Sequence, residues 1–60
     1  MFEEFVSKRV LILKTDGYKK VGLLVELYDS NGRQYLKLQH DDGRIEYIAF
    51  DAIQSICEGR

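Results

Sequence analysis

The sequence predicts a mainly β protein: a short N-terminal helix followed by five strands wound into one small, strongly bent barrel. Three observations predict it. Aliphatic residues recur at every second position through Val21, Leu23, Val25 and Leu27, the period of a half-buried strand. Tight-turn pairs at Asp16-Gly17, Asn31-Gly32 and Asp42-Gly43 cut the chain into short runs. No proline interrupts the runs between them.

The elements follow in order. Phe2, Phe5 and Val6 sit at i, i+3 and i+4, with Glu3 and Glu4 near the start, where a helix dipole favours negative charge. That spacing predicts a helix over residues 2–7, too short to persist alone, so its apolar stripe must cap one end or face of the barrel. Val10-Leu11-Ile12-Leu13 is a continuous apolar run, which predicts a strand covered on both faces. After the turn at Lys14-Thr15-Asp16-Gly17, a second strand runs from about residue 19 to 28, with its four alternating aliphatics on one face and Glu26 and Tyr28 on the other. Gly22 interrupts that strand. A glycine there marks a sharp bend or the close approach of another backbone.

Asn31-Gly32 is the strongest hairpin signal in the chain. Beyond it, Gln34, Leu36 and Leu38 alternate with Tyr35, Lys37 and Gln39 in a third strand. Asp41-Asp42-Gly43 turns into a fourth, where Ile45, Tyr47 and Ala49 alternate with Arg44, Glu46 and Ile48. Phe50-Asp51 is a corner, and Ala52 to Cys57 a last strand. A meander of five short strands with tight turns closes most simply into an SH3-like barrel.

Sixty residues make a single domain, 1–60. A chain of this size buries only about 60% of its unfolded surface. One cysteine allows no internal disulfide, and no cysteine/histidine cluster suggests a metal staple, which leaves oligomerisation as the route to a larger core. Cys57 fits a reducing compartment and reads as a small core residue. The opening Met1-Phe2-Glu3-Glu4 has no signal-peptide character, and nothing approaches the ~20 apolar residues of a membrane span. The expectation is a cytoplasmic protein without a membrane partner. Nine basic and ten acidic residues give a net charge of −1, so any nucleic-acid contact must be local to one face of an assembly.

Several of these positions together resemble the Sm/Lsm family, which includes bacterial Hfq. Lys8-Arg9-Val10, Asp16-Gly17, Gly22 and Asp29 are similar to its first motif, and Ile48 to Ile56 keeps the frame and aliphatics of its second. Ala49-Phe50 stands where the second motif has Arg-Gly, the Lys-His pair of Hfq is missing, and Tyr35 sits nearest the place of the base-binding asparagine. The resemblance runs from about Phe5 to Ile56. It implies an Sm-like barrel, a homo-oligomeric ring of about five to seven copies, and single-stranded RNA near the pore. Neighbours in the ring would pair through the open edges of the fourth and fifth strands.

The RNA-binding residues it implies are Arg33, Tyr35, Phe50 and Asp51, from two turns at one end of the barrel. Tyr35 or Phe50 would supply a stacking plane, worth about 1–3 kcal/mol per base. Arg33 would meet a phosphate and Asp51 a base N–H. The alternatives are an ordinary cross-strand tyrosine at 35 and a core or interface phenylalanine at 50. Lys8, Arg9, Lys19 and Lys20 form either a basic rim or plain solvated charge. An oligomeric structural or protein-interaction module without RNA is the rival reading, favoured by the missing Arg-Gly and the slight acidity. A third is a monomer binding a peptide through Tyr18, Tyr28 and Tyr47.

His40 beside Asp41 and Asp42 is no metal or acid/base site, because successive residues at a tight turn seldom converge on one ion. No nucleophile motif or phosphate-cradling glycine loop is present. The sequence predicts no enzyme and no cofactor.

Overall fold

Each tight turn marked in the sequence is a place where the backbone reverses. In the computed structural model, which describes residues 1–59, Gly17, Gly32 and Gly43 have φ of 91°, 80° and 92°. Asn31 precedes Gly32 at φ 54°, so both central residues of that hairpin are left-handed, as a type I′ turn requires. The strands between the turns are β1 (Arg9–Lys14), β2 (Lys19–Ser30), β3 (Arg33–Gln39), β4 (Ile45–Ala49) and β5 (Ile53–Glu58). They form one antiparallel sheet in the order β4-β3-β2-β1-β5.

β2 holds the sheet together. Lys19 to Leu23 pairs with β1, whereas Leu23 to Ser30 pairs with β3, so its two halves serve different neighbours. The register slips between Leu24 and Glu26, leaving Val25 as an extra residue, a β-bulge that bends the strand. Gly22 lies just before it, buried, where a Cβ would stand 2.5 Å from the Gln39 carbonyl oxygen and 3.1 Å from Leu38 Cγ. The close backbone approach expected at this glycine is present.

The bulge overturns the expected face of β2. Leu24 is buried and Leu27 packs on the core, while Val21 and Leu23 are 44% and 39% exposed on the opposite face. One extra residue at Val25 moves the period by one, so the inward set is Gly22, Leu24 and Leu27. With Val10, Ile12, Leu36, Leu38 and Ile48, Leu24 forms the fully buried core.

Four other expectations are corrected. The sheet is not closed into a barrel: β4 and β5 are its two edges, because a 3-10 turn at Phe50–Ala52 carries the chain away from β4 and delivers β5 to β1. The N-terminal helix is one 3-10 turn, Glu3–Phe5, cut short when Ser7 takes φ 70° and its N–H donates to the Leu24 carbonyl (2.8 Å). Its Phe2, Phe5 and Val6 do pack against the core. β1 alternates rather than being covered on both faces: Val10 and Ile12 are buried, Leu11 and Leu13 half-buried between β2 and β5. Cys57 is exposed, because it pairs with Leu11 on that outer face.

Charged side chains span the curl of the open sheet. Lys20 on β2 reaches Glu46 on β4 (3.5 Å), although β3 lies between those strands. Arg9 on β1 grips Asp41 in the β3–β4 turn through two bonds of 2.7 and 2.9 Å.

Candidate functional site

Two turns of the chain meet at one end of the sheet. The β2–β3 hairpin is pinned by Asp29, whose carboxylate accepts the Gly32 N–H (3.3 Å). The β4–β5 corner is pinned from the other side, where Ala52 accepts the Thr15 N–H (2.9 Å). Between the two turns lies an open cavity of about 240 Å³, lined by Gly32, Arg33, Gln34, Ala49, Phe50 and Asp51.

Three of the four residues expected to bind RNA, Arg33, Phe50 and Asp51, line this cavity. Arg33 Nη2 stands 3.8 Å from Asp51 Oδ2, with the side chains 65% and 80% exposed. A pair this open and this long contributes little stability and gives way readily to a ligand. Phe50 has a structural duty: its ring meets Phe2 edge-on, with centroids 4.9 Å apart and planes at 83°, and packs against the core. Tyr35 does not line the cavity. It pairs with Ala49 across the β3–β4 ladder, and its ring lies 6.3 Å from that of Tyr28 on the outer face.

Gln34 is a cavity residue that the sequence reading missed. Its place between Arg33 and Tyr35 was visible, but which face it takes depends on the hairpin register. Tyr47 joins Tyr28 and Tyr35 on the outer face, 5.1 Å from Tyr28. Of the tyrosines expected to act together, Tyr28 and Tyr47 do meet, while Tyr18 lies at the other end of β2 in the β1–β2 turn.

His40 has a partner other than its sequence neighbours. Its Nε2 is 2.7 Å from Glu46 Oε1, and since an ionised carboxylate only accepts, Nε2 carries the proton and donates. Burial pushes the Glu46 carboxyl up, but the His40 bond and Lys20 outweigh it, and the group lies below its ordinary value. Asp41 is held low by the Arg9 guanidinium, and Asp42 by the Arg44 backbone N–H and side chain. No group of three or more metal-ligating side chains converges among the described residues. Of the expected basic rim, Lys8, Arg9 and Lys20 each face a carboxylate.

No helix among the described residues is long and apolar enough to cross a membrane. No family model, no curated protein and no solved structure matches the chain.

Proposed function

We propose that this chain is a divergent, non-enzymatic Sm-like protein that assembles into cytoplasmic rings and binds single-stranded RNA at the cavity between the β2–β3 turn and the β4–β5 corner. One observation carries the reading: Arg33, distant in sequence from the adjacent Phe50 and Asp51, lines a single open cavity with them. Arg33 exchanges Asp51 for a phosphate, Asp51 then accepts from a base N–H, and Gln34 supplies a donor and an acceptor beside them. Phe50 holds the corner through Phe2 and the core, and presents what remains of its ring to a base. Assembly is supported by the two free edges, β4 and β5, whose pairing between neighbours would satisfy unpaired backbone groups and close a ring. The Sm-like frame of glycines and turns supports the same arrangement.

The test has two arms. Light scattering at micromolar concentration should give a closed ring of about five to seven copies, the number that the Sm-like resemblance implies. A labelled oligouridine should bind with an affinity that falls between about 50 and about 200 mM salt, and Arg33→Ala should weaken it while leaving assembly intact. A monomer removes the ring, and an assembled parent that ignores RNA at low salt removes the RNA site. The second outcome would favour a structural or protein-interaction ring on the same fold, a reading to which the Arg33–Asp51 pair and the packed ring of Phe50 already lend weight.

A further inference from the structure

Three strands contribute tyrosines to one aromatic cluster on the outer face of the sheet. The rings of Tyr28 and Tyr47 have centroids 5.1 Å apart and planes tilted by 51°; those of Tyr28 and Tyr35 are 6.3 Å apart and tilted by 48°. Tyr28 and Tyr47 remain 42% and 50% exposed, although the core lies on the opposite face and gains nothing from them. A solvated sheet face is ordinarily polar, so three neighbouring aromatic rings there point to a ligand.

Charge and ring geometry narrow its chemistry. Lys37, which faces Tyr47 across the β3–β4 ladder, is matched by Glu26 (3.5 Å). The face is therefore locally neutral. Phosphate contacts supply most nucleic-acid affinity, and this face has no surplus positive charge to make them. Rings inclined at about 50° to one another also form no common plane on which successive bases could stack. Inclined rings do form notches suited to the saturated rings of a polyproline II helix, whose carbonyls lack internal partners and accept from phenolic hydroxyls.

We infer that the Tyr28–Tyr35–Tyr47 face binds an uncharged, proline-rich segment of a partner protein in the polyproline II conformation, by the aromatic docking that such segments use elsewhere. The preformed helix loses little entropy on docking, and the recognition is independent of the cavity and of RNA.

Decaproline titrated into the full chain tests this, read by tyrosine ring resonances and by tyrosine emission, which no tryptophan obscures. Saturable binding should shift the resonances of Tyr28, Tyr35 and Tyr47 and hold its affinity between about 50 and about 200 mM salt. Tyr47→Ala should weaken it about tenfold, and Tyr47→Phe, which keeps the ring and its packing, about threefold. Circular dichroism checks that both variants are folded. Absence of saturable binding to the folded parent overturns the inference, as do shifts confined to other residues. So does an oligouridine that binds in place of decaproline and is lost in Tyr47→Ala. The RNA reading stands or falls separately, on Arg33→Ala.

Discussion

At Gly22 a hydrogen atom stands where any other residue would place a carbon 2.5 Å from the Gln39 carbonyl oxygen. Backbone cannot step aside there as the tip of a long side chain could, since Leu23 and Gln39 are paired in the ladder next to it. Gly22→Val should therefore cost at least the about 1–3 kcal/mol of a typical overpacked core site. In a chain this small each kcal/mol lowers the thermal midpoint by about 4–8 °C, so calorimetry will register it. An unchanged midpoint would mean that β3 does not pass this close. The role of Gly22 was legible in the sequence, because a residue without a side chain inside an aliphatic run has few structural uses. His40 was legible only in part: the turn was evident, but its partner Glu46 sits on the returning strand, and the register was needed to bring them together.

Among the elements, strands and turns were legible and the phase of β2 was not. The hairpin at Asn31-Gly32 follows from local chemistry, and the structure places both residues at positive φ. The phase is different, because Val21, Leu23 and Leu24, Val25 and Leu27 offer aliphatics to both faces, and periodicity alone cannot choose between them. The bulge at Val25 chooses. Leu24 and Leu23 make that choice measurable with one pair of substitutions. Leu24→Ala, at a fully buried site, should cost about 2–5 kcal/mol, a large part of the stability available to sixty residues. Leu23→Ala, at a site 39% exposed, should cost well under half of that by denaturant unfolding. The reverse order would restore the unbulged strand. The N-terminal turn shows the same limit: the apolar spacing identified its packing face, yet a single turn next to Ser7 at φ 70° has no length in which to become an α-helix.

For the whole molecule, the meander was readable because every connection from β1 to β4 is a short hairpin. Closure was not, since it depends on where the 3-10 turn at Phe50–Ala52 aims β5, and Phe50 in that turn packs on Phe2 at the far end of the chain, a contact that no local pattern announces. The candidate site has the same history. Arg33, Phe50 and Asp51 converge because two turns share one end of the sheet, whereas Tyr35 departs because its neighbours on β3, Leu36 and Leu38, take the buried face.

The charged contacts across the curl make the fold's shape a matter of proton uptake. Lys20–Glu46 and Arg9–Asp41 join parts of the sheet that no backbone ladder joins directly, and both depend on carboxylates that titrate below their ordinary values of 4.5 for Glu46 and 3.8 for Asp41. In the unfolded chain those groups take up protons first as acid is added, so protons favour unfolding. Their contribution is complete above the ordinary values and disappears as pH falls through the lower, folded ones. The thermal midpoint should accordingly hold steady above about pH 5 and fall below it, and Glu46→Gln should flatten part of that fall. An undiminished acid slope in the variant would assign the loss to other carboxylates. Hairpin hydrogen bonds between backbone groups have no such dependence. Mild acid should therefore slacken the curl before it melts the strands, leaving a flatter sheet with its concave side open to water.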